Sequence, residues 1–279
     1  MRALIANRSL RVGEMPPDFL PRLRFRPHFE MKTAWLDDPA TAVLTPVPLD
    51  DAAAAVVAAL EPGRALRVPV APRLLATLRD ASILVPRGFA NARLAAWRRG
   101  AAAARARFRR QGYAILPPLL PPAFVSAMAA HLRGLIAGGG VTLGDRQCPL
   151  RYAVYNDRLA RFVHHQLTRA ISEIAGQPLK PSYVYMASYV AGAELRRHRD
   201  REQCEVSVSF LVDFTPGAPA WPLKLDTRGG TVAVEQRPGD ALLYRGCELP
   251  HYRDALPEGC TSTSLFLHYV PVAFAGDLR

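Results

Sequence analysis

The sequence predicts an α+β protein in which a helix-rich segment precedes an antiparallel β core. Three observations lead to this class. Helical patterns dominate up to Gly176, short β-type runs dominate from Pro181 onward, and turns rich in Gly and Pro separate those runs. Several short strands at such intervals are typical of a sandwich or barrel, so we expect an antiparallel β core with supporting helices.

Residues 1–93 are predicted to form a small α/β module. The stretch TAWLDDPATAVLTP, residues 33–46, has the pattern of two short strands joined by a turn. PLDDAAAAVVAAL, with Asp50 or Asp51 as N-cap, and PRLLATLRDA have helical patterns, and the apolar strand SILV follows. This order of elements resembles a winged-helix or PqqD-like peptide-recognition module. The simpler interpretation is a packing extension of the main domain.

Residues 94–279 are assigned to a second domain that begins with helices. LAAWRRGAAAARARFRR, Leu94 to Arg110, is Ala-rich and basic, as expected of a connecting helix with a solvated face. Gly112 then interrupts the helical pattern before a short strand. Two further helices are predicted at PPAFVSAMAAHLRGLI and at NDRLARFVHHQLTRAISEIAG, and the second ends at Gly176.

The formal charge of +12 does not by itself indicate a nucleic-acid partner. Only three of the 36 basic residues are Lys, and Ala is abundant, which is typical of a GC-rich coding sequence. No zinc finger, helix-turn-helix signature or aromatic RNA-binding motif accompanies the charge. We therefore do not expect the protein to bind nucleic acid.

Cysteine usage and hydropathy favour a cytoplasmic protein without a membrane partner. No apolar run reaches the length of about 18 residues that a transmembrane helix needs, and the N-terminus lacks the apolar block of a signal peptide. The cysteines have no CxxC spacing and are interpreted as free thiols; they are Cys148, Cys204, Cys247 and Cys260.

The stretch GAELRRHRDREQCEVSVSFLVDF, Gly192 to Phe214, carries a candidate metal site. His198 and Asp200 are two residues apart, so an extended chain projects both side chains to the same side. His251, after the strand pattern DALLYRG, is a better third ligand than His268. Two His and one carboxylate with open coordination positions are typical of non-heme Fe(II) oxygenases, whereas a structural zinc site needs four ligands.

Three motifs occur in a fixed order along the chain. They are F-x-x-x-G-Y-x-I-L from Phe108, Y-x-x-G-x-x-L-x-x-H-x-D from Tyr189, and PGDALLYRG before His251. Together they resemble the 2-oxoglutarate/Fe(II)-dependent dioxygenases, particularly the prolyl-hydroxylase-like branch, over about residues 105–272. The resemblance implies a double-stranded β-helix, the jelly-roll or cupin-like fold, that binds Fe(II) through His198, Asp200 and His251.

The same resemblance implies a co-substrate and a reaction. In this family 2-oxoglutarate chelates the iron, and O₂ converts it to succinate and CO₂ while an unactivated C–H bond of the substrate is hydroxylated. The expected substrate is an amino-acid residue in a peptide or protein. Tyr189 stands where related hydroxylases carry a tyrosine that contacts the co-substrate, and Tyr185 is a second candidate for such a contact.

One departure from the family pattern concerns the cation that binds the distal carboxylate of 2-oxoglutarate. The usual Arg or Lys follows the distal His by a short interval, but here that window reads CTS, Cys260 to Ser262. A buried carboxylate needs a cationic partner. Arg253, two residues after His251, is the first candidate, because its planar guanidinium suits a bidentate contact. Lys224 and Arg245 follow in that order.

Other polar and aromatic residues admit two interpretations. Tyr183, Tyr185 and Tyr189 share one strand face, which is either core or cavity. Ser207 and Ser209 share a face that is either cavity or wet exterior. His268 is more typical of a hydrogen-bonded core histidine than of a further ligand. The remaining histidines lie on predicted helices or loops and are interpreted as structural; they are His28, His131, His164 and His165.

Three other functions remain open at this stage. A cupin-like binding protein would keep the fold without catalysis, and the missing downstream Arg favours it. A hydroxylase of this class could act on a free amino acid or small metabolite. A metal-dependent hydrolase could use the same three ligands and would need neither O₂ nor 2-oxoglutarate.

Overall fold

A computed structural model of the protein describes residues 4–14, 32–217 and 221–278, so the predicted structural role of His28 lies outside the described residues. The helices are α1 (Asp51–Ala58), α2 (Pro72–Asp80), α3 (Phe89–Gln111), α4 (Pro122–Ala137) and α5 (Arg158–Ala175). The strands are β1 (Leu4–Ala6), β2 (Arg11–Val12), β3 (Thr33–Asp37), β4 (Leu44–Pro48), β5 (Leu84–Pro86), β6 (Tyr113–Ile115), β7 (Arg151–Tyr155), β8 (Leu179–Tyr189), β9 (Leu195–His198), β10 (Val206–Thr215), β11 (Leu223–Thr227), β12 (Gly230–Val234), β13 (Ala241–Tyr244), β14 (His251–Arg253) and β15 (Thr261–Pro271).

The N-terminal part contains the predicted hairpin, both predicted helices and the predicted strand. β3 and β4 pair antiparallel, and β2 extends them to three strands. β1 pairs with β5 in a separate two-stranded sheet. Asp50 is the N-cap of α1, because its carboxylate accepts a hydrogen bond from Ala53 N at 2.7 Å. β1 and β2 were not predicted, since two or three residues are too few to show an alternating pattern.

This N-terminal part packs against the rest of the chain. The Gln166 side chain on α5 accepts a hydrogen bond from Leu44 N at 2.6 Å and donates one to Leu44 O at 3.1 Å. Trp35 and Leu44 belong to the same apolar cluster as residues of α3, α4 and α5. The predicted boundary after residue 93 lies inside α3, and the winged-helix-like character of the module stays a prediction.

Two antiparallel sheets form the core of the C-terminal part. The larger sheet has the strand order β6-β13-β10-β15-β8-β7, and the smaller has the order β12-β11-β14-β9. Every strand pairing in both sheets is antiparallel. The predicted antiparallel β core is therefore confirmed, with a polar and aromatic space between the sheets.

Side-chain alternation along β10 separates the apolar core from this space. Val206, Val208 and Phe210 belong to the apolar cluster that α3, α4 and α5 form against the larger sheet. Ser207 and Ser209 project from the opposite face and are fully buried. Helices therefore cover one face of the larger sheet, and the smaller sheet faces the other.

Glycines end the two long helices next to the β core. Gly112 has φ of 77° and Gly176 has φ of 78°, a left-handed conformation that glycine adopts without steric cost. α3 begins at Phe89, earlier than predicted, and Gly112 leads directly into β6. Across the described ranges, no helix combines the length and apolar character required to cross a membrane.

We predict that Phe210→Ala lowers the free energy of unfolding by about 3–5 kcal/mol, because it opens a cavity in the fully buried centre of β10. Denaturant unfolding followed by circular dichroism measures the loss. The matched control is Val272→Ala, whose side chain is 56% exposed, and it should change stability by less than about 0.5 kcal/mol. Equal losses in the two variants would contradict the assignment of Phe210 to the core.

Candidate metal centre

The structure brings His198, Asp200 and His251 together at one end of the smaller sheet. His198 ends β9, and it pairs in register with His251 at the start of β14. Asp200 lies two residues beyond the end of β9, with its Oδ1 3.7 Å from His198 Nε2 and 3.5 Å from His251 Nε2. One ligand atom from each residue lies within 4.8 Å of the other two, which is close enough for all three to hold a single ion.

Backbone hydrogen bonds orient both imidazole rings. His198 Nδ1 donates to Arg196 O at 2.7 Å, and His251 Nδ1 donates to Leu249 O at 3.0 Å. Because a carbonyl oxygen holds each Nδ1, Nε2 is the ring nitrogen that faces the shared point. This is the usual arrangement of metal-binding histidines, in which the second nitrogen is held by an outer partner.

Asp200 is held in its ionised form. Burial opposes its charge, but the neighbouring His251 and His268 and the hydrogen bond from Ser207 lower the pKa of Asp200 to about 2. Ser207 Oγ donates to Asp200 Oδ2 at 2.8 Å, so Oδ1 is left for a cation. Burial and the neighbouring His251 lower the pKa of His198, which keeps that ring neutral and able to bind a metal.

Gly246 provides a close-fitting surface for this carboxylate. A Cβ at position 246 would collide with Asp200 Oδ2 and would lie 2.5 Å from Cys204 O and 2.7 Å from Ser207 Oγ. Only glycine therefore permits Asp200 to keep this position. Two imidazoles and one carboxylate with open positions suit a divalent transition metal, so the residues present fit the iron that the family resemblance implies.

A second group of potential ligands shares Asp200 but is less suited to a metal. Its members are Asp200, Cys204 and His268. Cys204 Sγ lies 3.1 Å from Tyr183 Oη, and burial raises the pKa of the thiol to about 12. A protonated thiol is a poor ligand, so the candidate centre is the group with two histidines.

The candidate centre opens into a cavity of about 470 Å³ between the two sheets. Tyr185, a predicted contact residue, lines this cavity and stacks on Phe266, with ring centroids 4.7 Å apart. Tyr155 stacks on the Tyr185 ring, with the centroids 5.0 Å apart. Tyr183 and His268 also belong to the wall, so β7, β8 and β15 give the cavity an aromatic side.

Arg253 is buried near the centre without an acidic partner. It is 5% exposed and follows His251 on β14 by two residues. Its Nη1 donates to Trp221 O at 2.6 Å, and its guanidinium carbon lies 4.6 Å from the Trp221 ring centroid. Among the described residues, no carboxylate forms an ion pair with it, and burial lowers the pKa of Arg253.

The other two candidate cations lie elsewhere. Leu223 lines the cavity, so the next residue of β11, Lys224, projects from the opposite face, where its ammonium pairs with Asp254. Arg245 pairs with Glu248 at 3.1 Å outside the cavity. The structure therefore does not bring Lys224 or Arg245 to the candidate centre, because strand alternation and local ion pairs direct them to the surface.

Tyr189 is buried behind the cavity wall and does not line it. Its ring meets Trp221 edge-on at 5.0 Å, and its hydroxyl accepts a hydrogen bond from Arg151 Nη1 at 3.4 Å. Trp221 also contacts Arg253. Tyr189 and Arg253 therefore pack against the same indole ring.

Sequence reasoning missed Arg151 and Gln147. Arg151 is 1% exposed, pairs with Asp145 at 2.6 Å and donates to Gln147 Oε1 at 2.9 Å. The Gln147 amide nitrogen then lies 3.3 Å from His198 Nε2. No local signal could have singled out these residues, since β7 and the loop before it carry no motif and the chain is rich in arginine.

We predict that Gly246→Ala weakens the binding of Fe(II) by about 10- to 100-fold, because the added methyl group displaces Asp200 from its position. Anaerobic calorimetric titration measures the affinity. Gly229→Ala is the matched control, since the nearest neighbour of its Cβ would be Thr227 Oγ1 at 3.8 Å. Unchanged affinity in Gly246→Ala would show that Asp200 does not contribute to a metal site.

Comparison with known proteins gives no match by sequence, but several solved structures share the fold. No protein-family model matches the sequence, and no curated protein is similar to it. A prolyl-4-hydroxylase from Pseudomonas putida superposes with a TM-score of 0.52 at 21% identity, over 61% of this chain and 98% of that one.

Two further solved structures have the same fold. The epimerase SnoN of nogalamycin biosynthesis, in complex with Fe³⁺ and alpha-ketoglutarate, superposes with a TM-score of 0.50 at 16% identity, over 64% of this chain and 89% of that one. A prolyl hydroxylase from Trichoplax adhaerens, in complex with a hypoxia-inducible factor peptide, gives a TM-score of 0.50 at 12% identity, over 62% and 91%. The chain therefore has the double-stranded β-helix fold of 2-oxoglutarate- and iron-dependent oxygenases, as the sequence motifs predict.

Proposed function

We propose that the protein is a 2-oxoglutarate- and Fe(II)-dependent oxygenase that hydroxylates an unactivated C–H bond. The observation that carries the proposal is the convergence of two Nε2 atoms and one ionised carboxylate, from His198, His251 and Asp200, beside a cavity. Bound iron would supply the chemistry by which O₂ converts 2-oxoglutarate to succinate and CO₂ while the substrate is hydroxylated. The chain's own part is to hold the ion and to orient both organic partners.

Arg253 is the proposed partner of the distal carboxylate of 2-oxoglutarate. It faces the same side of β14 as His251, and two residues of an extended strand span about 7 Å. A five-carbon dicarboxylate that binds the metal through one end would be long enough for its other carboxylate to reach Arg253. A buried guanidinium with no acidic partner in the described chain needs an anion, and the co-substrate provides one.

Neighbouring residues support Arg253 in this role. Its Nη2 lies 3.5 Å from Ser209 Oγ, and the hydroxyls of Ser262 and Ser264 are buried without a hydrogen-bond partner in the described chain. Both serines share the inner face of β15 with Phe266. We assign Tyr189 to positioning Arg253 through Trp221, and Tyr185 to the wall that contacts the organic ligands.

The proposed substrate is an amino-acid residue in a peptide or protein. The cavity wall of tyrosines and the exposed Arg199 at its edge suit a flat, uncharged or acidic group better than a cation. The Trichoplax enzyme binds a peptide in the same fold. The N-terminal part packs against the main core, and its predicted winged-helix-like character would suit it to peptide recognition.

We predict that anaerobic addition of Fe(II) and 2-oxoglutarate produces a weak visible charge-transfer band, and that O₂ then yields succinate. His198→Ala should abolish both signals, because it removes one of three ligands. Absorption spectroscopy and succinate assay measure them. Absence of the band in the wild-type protein would favour a non-catalytic binding protein, and turnover of a substrate without O₂ would favour a hydrolase.

We predict that Arg253→Leu raises the dissociation constant of 2-oxoglutarate by roughly 30-fold or more, since loss of one partner of a buried charge pair costs about 2–5 kcal/mol. The charge-transfer band measures this affinity. Lys224→Ala is the matched control and should leave the affinity unchanged, because Lys224 pairs with Asp254 on the other face. The opposite pattern would assign the co-substrate contact to Lys224.

A further inference from the structure

His268 is a buried histidine of the cavity wall that the proposed iron site does not use. It lies on β15, is 2% exposed, and lines the cavity beside Asp200 and Tyr183. Its Nδ1 is 2.9 Å from Ser207 Oγ, whereas its Nε2 has no hydrogen-bond partner among the described residues. A buried nitrogen left without a hydrogen-bond partner is destabilising unless a ligand supplies the partner.

The hydrogen bonds of Ser207 decide which nitrogen of His268 carries the proton. Ser207 Oγ lies 2.8 Å from Asp200 Oδ2 and 3.3 Å from Cys204 O, and both of these oxygens only accept. The single proton of the Ser207 hydroxyl is therefore used in donating to these oxygens. Ser207 Oγ can then only accept from His268 Nδ1, so Nδ1 carries the ring proton. His268 Nε2 is left with a bare lone pair. Burial lowers the pKa of His268 to about 4, which keeps the ring neutral.

The surroundings of His268 define what can donate to Nε2. The Tyr183 ring lies 4.6 Å from the His268 ring, and the Tyr185 ring lies 5.8 Å from it and nearly parallel. Flat aromatic faces favour a flat ligand group. Arg199 and Arg201 also line the cavity and disfavour a cationic donor. A neutral, planar group with an N–H fits these conditions, and the secondary amide is such a group.

We propose that His268 Nε2 accepts a hydrogen bond from a secondary amide N–H of the substrate, which lies against Tyr183 and Tyr185. This inference rests on the proposed function, because a peptide substrate supplies such amides. It makes His268 a specificity-determining residue that recognises the substrate next to the iron site without binding the metal.

The test uses two small amides that differ only in the donor. N-methylacetamide has one N–H, and N,N-dimethylacetamide has none. Each is titrated into the metal-free protein to concentrations on the order of tens of millimolar, as the weak affinity of so small a ligand requires. Histidine ¹⁵N NMR follows His268 Nε2. We expect N-methylacetamide to shift this resonance. Its dissociation constant should be at least about fivefold lower than that of N,N-dimethylacetamide.

Two variants separate recognition from folding. His268→Gln keeps an acceptor near the position of Nε2, whereas the shorter side chain of His268→Asn places its amide next to Ser207 and leaves no acceptor at the Nε2 position. We expect the preference for N-methylacetamide to persist in His268→Gln and to vanish in His268→Asn, with thermal unfolding confirming that both are folded. The proposal is overturned if the wild-type protein binds both amides equally, binds neither, or carries its proton on Nε2.

These outcomes are distinct from failure of the proposed function. The amide measurements need no iron, 2-oxoglutarate or turnover. Failure of the oxygenase proposal would appear as a missing charge-transfer band in the wild-type protein, whereas failure of this inference would appear as a missing preference between the two amides.

Discussion

The pairing of β9 with β14 is the constraint on which the candidate site depends. It sets the ring of His198 4.3 Å from that of His251, although the two residues are far apart in the chain. Asp200 follows at the point where β9 ends, and Ser207 on the larger sheet holds its second oxygen. A register shift of one residue would turn His251 to the opposite face, because strand side chains alternate. Metal ligands from two strands therefore require this register.

Alternation on the larger sheet explains why polar groups gather between the sheets. The same strand that supplies Phe210 to the apolar core supplies Ser207 and Ser209 to the cavity side. His268 adds a buried nitrogen without a partner to the cavity wall, and Arg253 is a buried cation next to Ser209. Such groups are costly in a closed core, and ligands with matching groups would offset that cost. The interior is thus suited to binding rather than to maximal stability.

Sequence patterns predicted much of the fold but not its shortest strands. The helices α1 to α5 were identified because caps, glycine ends and apolar periodicity act over neighbouring residues. β9 reads LRRH and β14 reads HYR, which are too short and too polar to show alternation. Ranking Arg253 above Lys224 was possible from its spacing to His251. Only the structure shows the environment of each cation, including the ion pair between Lys224 and Asp254.

The sequence by itself determined the class of the β core and the identity of the three candidate ligands, because His198, Asp200 and His251 lie in ordered motifs of fixed spacing. Tertiary structure alone decided that Gln147, held by Arg151, reaches His198, and that His268 keeps a nitrogen without a partner in the cavity wall. These relations join segments far apart in the chain. They depend on strand register and on the direction of each side chain, which local sequence does not encode.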